Sequence, residues 1–333
     1  REVMDEIFGT GNFVSLITFS KTTGTTGELL AGTADYVLFY AKSIESVKYR
    51  QIFNVKELGG DGSSMYAMAE LASGARRRMT AAERDTSDAL PLETKPFRLS
   101  DITSPRVRDG RTGYFEVQVK GHSFLPRKGE WKTHLAGINR LVKAQRLDAA
   151  GNSPAFVRYM DDFAAFPISN VWGAIAGAAD KFYVVQTSPK FIERCMLMTT
   201  DPGDLVLDPT CGSGTTAYVA EKWGRRWITC DTSRVAITLA KQRLMTASFD
   251  YFALRYPNEG LKGGFIYKTV PHVTLKSIAN NPEIDAIYER LHPGIEAALA
   301  GLNAALVAPP PHVLFTVTEG VRKGQKLALG DAG

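Results

Sequence analysis

Cysteine is scarce in this chain of 333 residues. There are three, Cys195, Cys211 and Cys230, and no two form a Cys-x-x-Cys pair. They read as small buried apolar side chains in a reducing, cytoplasmic setting. Histidine is scarce too: five are scattered with no metal-ligand spacing, so no metal is expected. No run of eighteen apolar residues exists, which excludes a helical membrane span, and no secretory signal is present. The chain opens without methionine, on Arg1-Glu2-Val3-Met4. Val3, Met4, Ile7 and Phe8 share one face of a helix that Gly9 would end. A start inside a domain is the expectation; a processed or engineered start is the alternative.

With 44% apolar residues the chain can bury one or two cores. Its net charge of +5 permits a nucleic-acid partner without demanding one.

The informative stretch is Leu205 to Asp231, LVLDPTCGSGTTAYVAEKWGRRWITCD. Leu205-Val206-Leu207 predicts a short buried strand, which Asp208-Pro209 ends. Cys211-Gly212-Ser213-Gly214 predicts a tight turn, where two glycines let the backbone fold sharply and a ligand approach. A helix is expected over Thr215–Lys222, with Thr216 in its first turn and free N–H groups aimed over the turn. Gly224 stops it, and Trp227–Cys230 forms a second strand. Asp231 follows, 17 residues past Gly214. A carboxylate there suits a ribose diol. The turn is neither Gly-x-Gly-x-x-Gly nor a lysine-bearing phosphate loop. Asp208 at its head disfavours a pyrophosphate and suits an ammonium or sulfonium group. A Rossmann-like turn for some other ligand is the alternative.

Asp208-Pro209-Thr210-Cys211-Gly212-Ser213-Gly214-Thr215-Thr216 resembles the cofactor motif of the DNA amino-methyltransferases. Phe182 to Asp204 resembles the motif that precedes it in the permuted beta class, which includes the modification subunits of type III restriction systems. The resemblance is strong over 155–245 and weak elsewhere from residue 1 to about 280. It implies an α/β, Rossmann-like S-adenosylmethionine-dependent methyltransferase sheet with circularly permuted motif order. It implies S-adenosylmethionine held by Asp208, Thr210, Cys211, Gly212, Ser213, Gly214, Thr215, Thr216 and Asp231, with Thr187 near its methionine end. Two positions depart from the family: Thr210 stands where phenylalanine is usual, and Gln186-Thr187-Ser188-Pro189-Lys190 replaces Gln-Lys-Pro. The largest departure is the absence of any Asp-Pro-Pro-Tyr tetrapeptide. In the family that loop holds the exocyclic amine facing the sulfonium methyl and stacks the flipped base. No catalytic residue is therefore assigned, and the sheet is expected to be incomplete on its N-terminal side.

The rest of the chain is read around that stretch. Phe13–Ser20 and Asp35–Lys42 predict two strands, resembling the antiparallel edge of the methyltransferase sheet; a Thr- and Gly-rich loop, 22–32, joins them. Residues 1–42 thus form the edge strands of the catalytic half. Residues 43–155 form an inserted region. Within it, 43–100 reads as irregular rather than core sheet, with Met65–Leu71 helical and Arg76-Arg77-Arg78 opening a charged helix or loop. Over 101–146 there are ten Lys or Arg against four acids. A small basic module of hairpin strand (Gly113–Lys120), loop and helix (His134–Arg146) is expected there. It resembles a lesser DNA-contacting region, with Arg127, Lys128 and Lys132 as phosphate contacts. Phe124 and Trp131 read as its core. Residues 156–280 form the cofactor-binding half. Ser188 caps a helix that Pro189 begins and whose apolar face is Phe191, Ile192, Cys195 and Met198. A further helix follows Asp231 with Arg243 on its surface, and Gly264–Val270 makes a third strand. Residues 281–333 form a tail with a helix over Ile295–Leu306 and a strand over His312–Thr318.

The resemblance implies a site-specific DNA methyltransferase acting on adenine N6, in restriction-modification or as an orphan enzyme. Its partner is double-stranded DNA; a homodimer and a restriction subunit are further partners it allows. A cytosine N4 enzyme, and a cofactor- or DNA-binding piece inactive by itself, are the alternatives.

Overall fold

The computed structural model describes residues 1–20, 29, 32–150, 153–173, 187–307, 315–317 and 326–327. In chain order the elements begin with α1 (Glu2–Phe8), β1 (Phe13–Ser20), β2 (Ala34–Tyr40) and β3 (Phe53–Val55). Then come β4 (Met68–Glu70), β5 (Arg76–Arg78), α2 (Ala81–Asp85), β6 (Lys95–Asp101) and β7 (Thr103–Ser104). These lead to β8 (Val117–Val119), β9 (His122–Phe124), β10 (Glu130–Trp131), α3 (Leu135–Lys143), β11 (Leu147–Ala150) and β12 (Ser153–Tyr159). β13 (Ala165–Pro167), β14 (Val171–Trp172), α4 (Pro189–Thr199), β15 (Leu205–Asp208), α5 (Thr215–Lys222), β16 (Arg226–Thr229) and α6 (Arg234–Thr246) follow. The last are α7 (Leu275–Ala279), α8 (Glu283–Val307), β17 (Phe315–Thr316) and β18 (Lys326–Leu327). The chain divides into one unit of Arg1–Asn54 with Ala165–Thr269 and another of Val55–Ala164 with Val270–Gly333. No helix among the described residues is long and apolar enough to cross a membrane.

The first unit is mixed α/β. The N-terminal helix forms where its apolar spacing predicts, and Gly9 ends it at φ 82°. β1 pairs antiparallel with β2 and parallel with β14. β15 and β16 run parallel with α5 between them, a βαβ unit. Among the described residues no ladder joins these two sheets. What links them is α4. Its Phe191 and Met198 pack with Ile17 and Trp172, while Met196 packs with Val219 and Ala220 of α5. Pro189 starts α4 as expected, although the Ser188 side chain makes no capping hydrogen bond. The alternation along β15 and β16 is one-sided. Val206 and Trp227 lie against the α4–α5 layer, whereas Leu205, Leu207 and Ile228 are 52%, 64% and 55% exposed.

The structure corrects several expectations. Gly264–Val270 is not a strand; only an isolated bridge joins Leu254 to Phe265. Gly263 precedes the segment, and Gly264 at φ 78° turns the chain instead of extending it. The tail helix is longer than its leucine pattern suggested, running Glu283–Val307 through Pro293. The segments 22–28, 182–186, 312–314 and residue 318, read above as parts of a loop, a flank and a strand, lie outside the described residues.

The second unit centres on a five-stranded sheet in the order β11-β12-β6-β4-β5. Three of its strands lie in 43–100, the region expected to be irregular, the last of them running on to Asp101, and Met68–Glu70 is strand rather than helix. The Arg76–Arg78 run is a strand too, paired with β4. Partners explain it. Arg76 binds Glu70 at 2.6 Å and Asp148 at 3.2 Å, and Arg77 binds Glu83 at 2.6 Å. Two of the three arginines thus find their acids on other elements, which the local sequence does not show. The predicted hairpin exists in shorter form as β8–β9. Trp131 is fully buried in a cluster with Ile102, Ile138, Leu141 and Phe156, and Phe124 packs against it.

Glu83 illustrates how this unit depends on pH. The Arg77 guanidinium, then the Thr80 backbone N–H, hold its carboxyl down at about 2. A lowered folded pKa gives stability that is present above the unfolded value near 4.5 and is lost as pH falls toward 2. Glu83→Gln should therefore lower the urea midpoint near neutrality, and its difference from the parent should shrink on titration from pH 5 to 2.5. A difference independent of pH would remove this assignment.

Candidate functional site

The turn after β15 is stitched to the end of β16 by its backbone. Cys211 N–H donates to the Cys230 carbonyl at 3.0 Å, and Cys230 N–H donates to the Asp208 carbonyl at 3.0 Å. Gly214 N–H closes the turn on the Cys211 carbonyl at 2.8 Å. Both glycines need their type. Gly212 has φ 52° and Gly214 φ 75°, left-handed values that side chains resist. A Cβ at Gly214 would also lie 2.8 Å from Ala240 Cβ on α6. Gly214 thus serves helix packing as well as the turn.

Asp231 straps the arrangement together. Its Oδ2 accepts from Gly212 N–H and its Oδ1 from Ser233 N–H, both at 2.8 Å. The Ser233 N–H, then the Gly212 N–H, hold its carboxyl below the usual carboxylate range. It is an ionised acid at neutral pH, placed at the head of α6. At the other end, Asp208 Oδ1 accepts from Thr210 N–H at 3.1 Å. Gly214, the N-cap of α5, offers no side chain to the first N–H groups of that helix. The site therefore presents two carboxylates flanking a glycine turn and an uncapped helix start.

The motif residues divide by burial. Cys211, Ser213 and Thr215 are buried, whereas Thr210 is exposed and Thr216 half-buried. Arg243, expected at the surface, is half-buried and reaches the back of the turn. Its Nη1 donates to Thr215 Oγ1 at 3.0 Å and to the Ser213 carbonyl at 3.4 Å. The signal was the spacing Ala236, Ala240, Arg243, one inward face of α6 on which the two alanines are buried. Thr187 is exposed just before α4, and no hydrogen bond ties it to the turn among the described residues.

Residues 1–242 match the family model described as DNA methylase. The chain belongs to the DNA methylase family. Among curated relatives of this methylase chain, the type II methyltransferase M.EcaI of Enterobacter cloacae is 26% identical over 261 residues, 72% of this chain and 49% of that protein. M2.DpnII of Streptococcus pneumoniae, also a type II methyltransferase, is 36% identical over 81 residues, 23% of this chain and 30% of that protein. The chain thus spans about half the length, or less, of these relatives. A solved structure of a DNA modification methylase from Thermus thermophilus, complexed with S-adenosyl-L-methionine, covers 70% of this chain and 53% of its own, at 18% identity and TM-score 0.28.

The methylase chain's basic segment is sorted by its ion pairs. Of the ten cations counted in 101–146, five have acidic partners. Arg108 pairs with Glu130, Lys120 with Asp148, Arg140 and Lys143 with Asp285, and Arg146 with Asp162. Arg106, Arg111, Arg127, Lys128 and Lys132 have none among the described residues. Arg127 and Lys128 are exposed in the loop entering β10. β10 pairs antiparallel with β7, Glu130 opposite Ser104, so Arg106 leaves the ladder at the end where Lys128 enters it. Lys132 lies past the other end, its Nζ on the Asp101 carbonyl at 2.6 Å.

Proposed function

We propose that this chain carries the cofactor-binding half and a DNA-contacting module of an S-adenosylmethionine-dependent DNA methyltransferase, acting on adenine N6 in double-stranded DNA. The observation that carries it is the Asp231 carboxylate strapped to Gly212 at the ends of two parallel strands. S-adenosylmethionine is the cofactor; when bound, its sulfonium would supply the methyl group and leave as the neutral thioether of S-adenosylhomocysteine. The residues fit it. Asp231 retains lone pairs for a ribose diol, the positive-φ turn lets a ligand approach the backbone, and Asp208 suits the cationic end. Asp208, Thr210, Gly212, Thr216 and Asp231 line the cofactor in this reading. Buried Cys211, Ser213 and Thr215 shape the turn from behind, and Thr187 belongs to the methionine end. Calorimetric titration with S-adenosylhomocysteine should show a single site; no binding would sink the cofactor reading. Transfer to an exocyclic amine proceeds in line, with no covalent enzyme–base intermediate. The lack of an Asp-Pro-Pro-Tyr loop in these 333 residues favours a second reading of them taken alone, as a binding piece without chemistry.

The DNA module contributes unpaired cations rather than its full basic complement. Arg106, Arg127 and Lys128 gather at one end of the β7–β10 ladder, where phosphates can replace solvent without breaking an ion pair. Arg127→Ala/Lys128→Ala should weaken binding to mixed-sequence duplex DNA. The slope of log affinity against log salt should fall by about 1–2. The double variant matching its parent in affinity and slope would move the DNA surface elsewhere.

A further inference from the structure

A cavity of about 560 Å³ opens within the second unit where α3 begins. Arg108, Lys132, Thr133, His134, Lys276 and Asn280 are among its lining residues, and no carboxylate is. Glu130 sits behind it without lining it, 3.5 Å from Arg108 Nη1. Arg108 is further fixed by the Trp131 and Lys132 carbonyls, each at 3.2 Å. Lys132 Nζ rests on the Asp101 carbonyl, and the Asp101 carboxylate, hydrogen-bonded by Thr103, lies near enough to feel the lysine's charge. The lining itself is therefore positive, and Lys276 is a lining cation with no acid paired to it among the described residues.

The fold builds this concentration of charge. Gly137 of α3 has no Cβ, and one added there would lie 3.0 Å from Ala279 Cβ and 2.4 Å from Thr133 Oγ1. Glycine at 137 is what lets α7 close on α3. Ile278 and Ala279 are buried in that contact, which fixes the turn of α7 that carries Lys276. His134, the N-cap of α3, makes no side-chain capping bond, so the first N–H groups of this nine-residue helix lack a protein side chain. Cations from three segments, two hydroxyl or amide groups and an uncapped helix start make a receptor for a tetrahedral oxyanion.

We propose that this cavity seats a phosphate group of the DNA backbone, with Lys276, outside the basic segment, as a phosphate ligand beside Lys132 and Arg108. The proposal rests on the reading of this unit as a DNA module. Its chemistry is that of any phosphoryl oxyanion, so the test separates backbone phosphate from free phosphate. Fluorescence anisotropy with mixed-sequence duplex DNA would be measured from 50 to 200 mM salt on the parent, on Lys276→Ala, on Lys276→Arg and on Arg127→Ala/Lys128→Ala. Backbone amide resonances of 135–137 would be followed in inorganic phosphate. Circular dichroism checks that each variant is folded. Lys276→Ala should bind about three- to tenfold more weakly with a salt slope lower by about 1, Lys276→Arg should restore most of it, and phosphate should shift those amides. Parent-like DNA binding by Lys276→Ala, with a weakened Arg127/Lys128 variant, overturns the seat and leaves the DNA module standing. Amide shifts with phosphate but parent-like DNA binding would assign the cavity to a free anion and overturn the backbone role. Parent-like binding by both alanine variants would remove the DNA reading and the seat together.

Discussion

Gly212→Val should lower affinity for S-adenosylhomocysteine by at least about a hundredfold. Two effects combine. The residue holds φ 52°, which a β-branched side chain cannot adopt without strain, and its new side chain would project into the space the proposed site gives to the cofactor. Its N–H also donates to Asp231, so displacing it releases one end of the strap. Asp231→Ala removes the strap from the other side and should weaken binding about tenfold to a hundredfold. Asp231→Asn, which keeps one acceptor oxygen, should fall between Asp231→Ala and the parent. Gly214→Ala is the contrasting variant. Its Cβ meets Ala240, so it should depress the melting temperature before it affects the ligand. Calorimetry and thermal melting separate the two effects. Parent-like affinity in folded Gly212→Val and Asp231→Ala would place the cofactor elsewhere.

A polypeptide of these 333 residues should transfer methyl groups to duplex DNA at a rate at least about a hundredfold below that of a full-length relative assayed beside it. The amine of adenine is a poor nucleophile because its lone pair is delocalised into the ring. Acceptors must hold it facing the methyl group, and a small misplacement can cost about a hundredfold. The sequence offers the turn Cys211–Thr216 but no Asp-Pro-Pro-Tyr loop. The β15–β16 sheet is also uncovered on one face, with Leu205, Leu207 and Ile228 more than half exposed, so poor solubility should accompany weak activity. Incorporation of labelled methyl groups at a relative's rate would reverse this conclusion. A catalytic loop would then have to be found within residues 1–333.

The strand, glycine turn, helix and strand from Leu205 to Asp231 were legible because their signals are local. Leu205–Asp208, Thr215–Lys222 and the strand before Asp231 form where apolar runs, glycines and Pro209 put them, and Ser233 caps α6 as a serine should. Arg243 was not legible as a support of the turn, since its partners lie about thirty residues away at Ser213 and Thr215. The same physics misled the reading of the insert. Arg76 and Arg77 read as the start of a charged helix or loop until the fold brings Glu70, Asp148 and Glu83 beside them. The basic module kept its core as read, with Trp131 and Phe124 packed together, but five of its ten cations proved to be paired with acids. Lys276 was invisible as a candidate because nothing in the sequence tells that α7 docks on α3 at Gly137.

The contact between Gly214 and Ala240 bears on how the turn breathes. A glycine loop on a protein surface ordinarily opens alone, at little cost, and its amides exchange with solvent independently of the core. This one cannot peel away by itself, because α6 rests on it at Ala240 and grips its carbonyl and hydroxyl groups through Arg243. The turn and α6 belong to one cooperative opening unit, and the amides of 211–215 should acquire the protection of a helix pair. Rigidity of the loop is then set from position 240, where any side chain larger than methyl would loosen the turn without altering a residue in it.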